Sequence, residues 1–428
     1  MASQKLTEWR QNWYVVAGAF IGMGTGYPAW ASYGISSFFL PLQKAFGWSR
    51  SEIALAITVG SIAGAVCAPF LGHLVDRFGA RRLILIFYPI TALCFIALAN
   101  MPASLPVFYT IYGLFVIAGM FTTGLTFGRL VAGRFDESRG LALSIARMGI
   151  SACGAALPIL LFAVITHLGF GWRGGFYAMA AVMFFIGWPI SWLLAHDRQD
   201  SGIPATSVST NIGKANGIRL YLVALADYRV IALCVASGLA FCAGIAITTQ
   251  LQPMLAGQGI NPAAASGIGA ALALSTAGAT LVVGFLLDRF WGPLVGAVFT
   301  ICPIVGCLIL MGDHVSPQAA MIAVIFIGLA MGAEWDVIPY LTARYFGMKS
   351  FGIVYGIIAL FLSLGAAVFN PLFARIYEIF GSYQPVLGVG IVCYIVSAAS
   401  FFVLGPYPKP AAEPNAATSP STAVSPAE

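Results

Sequence analysis

Charge is what this sequence has least of. Asp, Glu, Lys and Arg together make up 8% of its 428 residues, and there are four histidines. A water-soluble domain carries about one-quarter charged residues, so a large water-facing surface is excluded. Catalytic signatures are missing too. No phosphate-binding loop and no Ser/His/Asp set at a common depth can be found, and His73, His167, His196 and His314 stand apart near span ends. An intramembrane enzyme is therefore disfavoured, and neither a metal nor a cofactor is expected. Cys67, Cys94, Cys153, Cys234, Cys242, Cys302, Cys307 and Cys393 lie in apolar runs without metal-ligand spacing. They read as small packing residues rather than disulfide partners. No N-x-Ser/Thr sequon occurs.

What is present is apolar. Hydrophobic residues make up 60% of the chain, and the mean hydropathy is +0.90. A bilayer crossing needs about 20 apolar residues. Twelve such segments follow one another, at 13–41, 52–75, 83–100, 106–132, 139–166, 174–195, 229–255, 264–287, 292–312, 317–343, 352–378 and 384–405. Each must be helical, because lipid offers no partner to an open backbone N–H or C=O. The first run is too long for a signal h-region and has no small-residue cleavage site. The expected fold is an all-α membrane protein with twelve transmembrane helices.

The basic residues orient it. Of the 21 Lys and Arg residues, 16 fall on the side of the N-terminus, Lys44, Arg50, Arg173 and Arg375 fall opposite, and Arg147 lies inside a span. That bias puts both termini in the cytoplasm. Short outer loops without sequons fit a bacterial inner membrane. The net charge of +6 is mostly this topology signal. Its residues are scattered at helix ends, so no nucleic-acid surface is expected, and the lipid bilayer is the expected surrounding.

Two halves and a tail are expected. The polar connection 196–228 contains Gly202, Pro204, Gly213 and Gly217 and separates six spans (1–195) from six (229–405). Residues 406–428 have no apolar face and read as a disordered tail. The halves look like repeats. GHLVDRFGARR at 72–82 is matched by GFLLDRFWGP at 284–293. Arg134-Phe135 followed by Arg139-Gly140 is matched by Arg344-Tyr345-Phe346 followed by Phe351-Gly352. Parallel halves of this kind hold substrate between them near the midplane.

The residues Gly72-x-Leu74-x-Asp76-Arg77-x-Gly79-x-Arg81-Arg82 resemble, at each key position, the signature of the major facilitator superfamily between its second and third helices. The resemblance extends to about residue 405. It implies a twelve-helix transporter in which this cluster latches the halves together when the cavity opens outward. Gly72 permits close packing. Asp76 is placed to accept from a helix N-terminus of the other half near Ser350, and Arg77, Arg81 and Arg82 anchor the cytoplasmic face. A narrower resemblance is to the monocarboxylate-porter and oxalate/formate-antiporter-like branch, carried by SYGISSFFLPLQKAFGWSRSEI (32–53) and GAEWDVIPYLTARYFGMKSFGIVYG (332–356). Members of that branch carry small organic acids. Here the first span has no lysine, with Tyr33 about where one would fall. The eighth has only Asp288-Arg289 at its cytoplasmic end. Substrate identity and proton coupling are therefore not carried over.

Charges inside a bilayer are expensive and usually functional. Arg147 lies about 12 Å into the fifth span, with Ser144 and Ser151 at i−3 and i+4 on the same face. Its planar fork matches a carboxylate. It reads as the substrate counter-charge, with a structural ion pair to Glu334 or Asp336 and snorkelling as the other readings. Glu334 and Asp336 sit two residues apart on the tenth span, about 200° around the helix, so they cannot share a proton. The superfamily resemblance implies that helices four and five close against ten and eleven on the cytoplasmic side, so a contact of Arg129 or Arg147 with Glu334 or Asp336 is a candidate gate, and burial would suit either acid to proton coupling. The resemblance implies that helices one, four and seven line the cavity, which makes Trp30, Tyr33 and Ser36, Thr122 and Thr126, and Thr248, Gln250 and Gln252 softer candidates for its lining. Gly26-Tyr27-Pro28 and Asn370-Pro371 are candidate flexing points.

The expected function is secondary transport of a small organic anion, most readily a monocarboxylate, with proton symport or anion exchange both open. The chain is read as a monomer. An exporter of drug-like or cationic compounds and a non-transporting membrane sensor are the alternatives.

Overall fold

A computed structural model describes residues 2–135, 138–194, 225, 227–287, 289–312 and 314–407. The side chains of 2–5, 68, 69, 72, 73, 76, 125, 139 and 348–352 fall outside that description. Every described element is helical. Eleven helices are long and apolar enough to cross a bilayer, and an interrupted first helix makes twelve. The spans are numbered α1 to α12 in chain order.

Helix α1 runs Ala2–Thr25 and resumes through Tyr27–Ala29, Trp30–Gly34 and Ile35–Phe38 to Phe39–Phe46. Helices α2 (Arg50–Phe78) and α3 (Ala80–Ala99) follow. Helix α4 is split into Leu105–Gly119 and Gly124–Ala132. Helix α5 spans Arg139–Gly154 and Ala156–Phe162, and α6 spans Gly171–Ala181 and Trp188–Leu194. In the second half come α7 (Tyr228–Thr249, then Leu251–Gly257), α8 (Pro262–Leu287) and α9 (Gly292–Leu310). The run Pro317–Phe380 is divided at Gly347 (φ 67°, ψ 170°) into α10, Pro317–Gly347, and α11, Ile353–Phe380. Helix α12 is Gln384–Val403. Most of the connection 196–228 and of the tail 406–428 lies outside the described residues.

Large apolar side chains such as Val66, Phe70, Phe185, Leu308 and Val392 point outward. On a soluble protein such a girdle would be an aggregation surface; here it faces lipid. Buried residues form three cores. One belongs to the first half, with Ala374 of α11 added. A second joins Tyr33 and Ala155 of the first half to Ala243, Ile247, Leu272 and Phe373 of the second. The third packs the Arg-rich end of the second half, and all its buried members among the described residues come from 230–404. The halves therefore meet at mid-depth and toward the opposite face, and are least joined at the Arg-rich face.

Helices α1 and α4 are broken side by side. Gly26 (φ −83°, ψ −173°) and Thr123 (φ −94°, ψ 175°) are both extended. The Thr122 hydroxyl closes the junction, donating to Gly119 O at 2.7 Å and accepting from Tyr27 N–H at 3.0 Å. A Cβ at Gly26 would lie 2.8 Å from Thr122 Oγ1 and 2.9 Å from Thr122 O, which explains the glycine. The flexing point expected at Gly26 is a true break.

At Asn370-Pro371 α11 continues unbroken. A proline lacks an N–H, so the carbonyl four residues earlier loses its helical partner. Three such carbonyls are taken up by side chains here. Leu85 O, opened by Pro89, accepts Trp188 Nε1–H at 2.9 Å. Ala367 O, opened by Pro371, accepts the Thr58 hydroxyl of α2. Trp335 O, opened by Pro339, accepts Arg147 Nη1–H at 3.1 Å. The last two bonds cross between the halves.

Candidate substrate site between the halves

Arg147 is where the halves touch through charge. It projects from α5 to α10, and its guanidinium is held in three ways. Nη1 donates to Trp335 O, its Cζ lies 5.2 Å from the Trp335 ring centroid, and Nη1 stands 3.7 Å from Asp336 Oδ1. The last distance is long for a charge-assisted bond. The side chains of Arg147 and Asp336 are 31% and 19% exposed, and Trp335 is 41% exposed. The contact is therefore open, and the cation keeps donors for another anion. Asp336 Oδ2 is buried without a hydrogen-bond partner.

Glu334 turns the other way. It is 7% exposed, and its Oε1 is buried without a hydrogen-bond partner. The 200° separation expected from sequence thus resolves into one carboxylate between the halves and one inside the second half.

One turn beyond Arg147, Ser151 bonds the Tyr33 hydroxyl at 3.0 Å. Thr276 of α8 also reaches that hydroxyl. A Cβ at Gly154 would overlap the Tyr33 ring, so this glycine makes room for it. Tyr33, Ser151 and Arg147 form a continuous polar strip, which Ser144 extends by one turn along the half-buried face of α5. These four expected residues thus lie along one strip.

Three expected lining residues are placed elsewhere. Trp30 is 1% exposed and sits in the first-half core among Phe38, Phe95, Phe115 and Phe176. Thr126 is buried, and its hydroxyl caps the α4 break by donating to Phe121 O and Thr123 O at 2.7 and 3.0 Å. Gln250 is buried at the α7 break, where its Oε1 accepts Tyr383 OH at 3.3 Å. Arg129 lies in the last turn of α4. Of the expected latch, Gly79 (φ 82°) turns the chain from α2 into α3. Arg81 Nη2 donates to Trp192 O of the same half at 3.2 Å, and Arg77 lies 5.4 Å from the Phe78 ring centroid. Arg82 is exposed, and the side chains of Gly72, Asp76 and Ser350 fall outside the described residues.

A second set of contacts, not foreseen, joins the opposite ends. Ser51 N–H and Oγ–H, at the start of α2, donate to the two oxygens of Glu378 on α11 at 2.8 and 2.9 Å. Arg50 bonds the Tyr383 hydroxyl and lies 3.9 Å from the Tyr377 ring centroid. A Ser49-x-x-Glu52 capping box starts α2, and the Glu378 that meets its first turn lies 327 residues beyond Ser51. A cavity of about 530 Å³ opens beside this end, lined by Ser36, Lys44, Phe162, Trp172, Gln252 and Ser266 among others. It is offset from Arg147.

Two six-helix bundles meeting at a charged mid-depth seam define a membrane transporter of the two-half type. The family model "Major Facilitator Superfamily" matches residues 20–369 and 233–426; the chain belongs to that superfamily. It is 24% identical over 415 residues to "MFS transporter asaE" of Aspergillus flavus, covering 90% of this chain and 86% of that protein. It is 26% identical over 375 residues to human "Monocarboxylate transporter 11", covering 84% and 76%. Among solved structures, the nucleoside transporter NupG superposes with a TM-score of 0.73 at 14% identity, covering 91% of this chain and 98% of that one. A bacterial homologue of the human lysosomal transporter Spinster, inward-facing and unoccupied, superposes with a TM-score of 0.67 at 17% identity, covering 91% and 96%.

Proposed function

We propose that the protein carries a small organic anion, a monocarboxylate, by alternating access between its two halves. The observation that supports this most is the half-open state of Arg147. It lies about 12 Å into its span, yet its ion pair is stretched to 3.7 Å and it remains 31% exposed. A guanidinium so held offers N–H donors to an incoming carboxylate. Tyr33 and Ser151 flank the place where that acid would sit. The resemblance to a protein named monocarboxylate transporter supports the substrate class.

The Arg-rich face is the cytoplasmic face by the positive-inside rule, with both termini there. The fit to a bacterial inner membrane rests on the short outer loops. The Ser51–Glu378 and Arg50–Tyr383 contacts then close the outer side. Glu334 and Asp336 are the groups that would carry a proton in symport; anion exchange would leave them as gate residues. The mechanism is complete within one chain.

Counterflow of labelled monocarboxylates and dicarboxylates in liposomes tests this, beside Arg147→Gln. Flux of an acid in the parent, lost in the variant, is the expected result. An intact parent that moves no acid would overturn the anion reading. The unpartnered oxygens of Glu334 and Asp336 favour a second reading, export of a cationic compound. In that case Asp336→Asn abolishes transport and Arg147→Gln spares it. Saturable binding without any flux would instead identify a sensor.

A further inference from the structure

Trp335 stands between the two carboxylates of α10 and takes no part in the charge pattern. Residues advance about 100° each along a helix. With Glu334 turned into the second half and Asp336 turned to Arg147, the indole points between them, toward α7. There it meets Phe241 edge-to-face, with centroids 5.7 Å apart and planes at 85°. On its other side lies the Arg147 guanidinium of the first half. A ring that touches both halves lies on the seam, and 41% of it is exposed there.

The carbonyl of this same residue, released by Pro339, fixes one arm of Arg147. The cation is therefore tied to the aromatic surface, and any carboxylate received by Arg147 has its body delivered to that surface. A flat, electron-rich body fits an indole face bounded by a phenyl edge better than a saturated one, because ring quadrupoles set the geometry. We infer that the substrate is an aryl monocarboxylate, its carboxylate on Arg147 and its ring on the Trp335–Phe241 corner. This rests on the organic-anion reading and narrows it. Trp335 is then the residue that sets specificity.

Equilibrium binding of benzoate and of cyclohexanecarboxylate to the purified protein tests it, with lactate as a third probe. The two ring acids match in size and charge and differ in the flat π face. The parent is expected to bind benzoate about tenfold more tightly than cyclohexanecarboxylate. Trp335→Leu should erase that ratio while both acids still bind, and Trp335→Phe should keep part of it. Arg147→Gln should lose all three acids. Thermal unfolding of each variant reports folding, and the phenylalanine variant serves if the leucine variant fails to fold. A parent ratio near one, or a ratio unchanged in Trp335→Leu, overturns the inference. If lactate binds through Arg147 in that case, the anion reading stands without it. If no acid binds and Arg147→Gln behaves as the parent, both fall.

Discussion

Ser51 donates its backbone N–H and its hydroxyl to the two oxygens of Glu378, at 2.8 and 2.9 Å. A carboxylate on one half thus serves as a cap for the first turn of a helix in the other. The N–H groups there have no intrahelical partner and the helix dipole favours an anion. Arg375 completes the site at 3.1 Å from Glu378 Oε2.

Glu378→Gln removes the charge and should loosen this clasp. Hydrogen bonds to charged groups contribute about 1.5–3 kcal/mol, so the closed-to-open ratio at these ends should fall about tenfold or more. Distances between spin labels beside Ser51 on α2 and beside Glu378 on α11 should broaden toward longer values. An unchanged distribution would remove the clasp from the transport cycle.

In the proposed mechanism Asp336 would compete with substrate for Arg147. Its oxygen at 3.7 Å partly neutralises the guanidinium without saturating it. Asp336→Asn should therefore tighten binding of the transported acid several-fold and slow its release. Binding and counterflow measured together check this; weaker binding would mean that Asp336 orients Arg147 rather than competing for it.

Pro339 has an effect beyond bending α10. Pro339→Ala supplies an N–H to the Trp335 carbonyl and takes it from Arg147. The helix gains a bond and the seam loses one, worth about 0.5–1.5 kcal/mol. Acid affinity should drop about two- to tenfold with no loss of thermal stability. Equal affinity in the variant would show that the carbonyl does not position the cation.

Gly149 carries the closest approach of α5 to α1. A Cβ there would fall inside the radius of the Phe20 carbonyl oxygen, whereas one at Gly267 of α8 meets nothing within 4 Å. Overpacking costs about 1–3 kcal/mol. Gly149→Ala should lower the melting temperature in detergent by several degrees, while Gly267→Ala should leave it unchanged. Equal behaviour of the two would refute the close packing.

The spans were legible because lipid imposes one rule on every one of them. The expected start at 317 and the helix start at Pro317 coincide, and the segment 139–166 ends one residue before the helical run closes at His167. Arg147 and the two acids of α10 stood out for the same reason: charge is scarce. The pairings were less legible. Trp30 follows the break at Gly26 and opens a π-helical turn at Trp30–Gly34, and composition carries no sign of either. The outer clasp needs Ser51 to meet a residue 327 positions away. One signal was readable in principle. Each interior proline frees the carbonyl four residues before it, and Pro339 points in this way to Trp335.

The chain separates Arg147 from Trp335 by 188 positions, and synthesis runs from the N-terminus. Helix α5 therefore enters the membrane long before α10 exists. During that interval the arginine has only the first half to shelter it, at an insertion cost of about 2.5–3.5 kcal/mol. A ribosome that stalls anywhere before α10 leaves a bundle with an unanswered cation at mid-depth. The seam that would hold substrate in the finished protein is thus also a mark of completeness. Membrane quality control could recognise truncated chains by its absence.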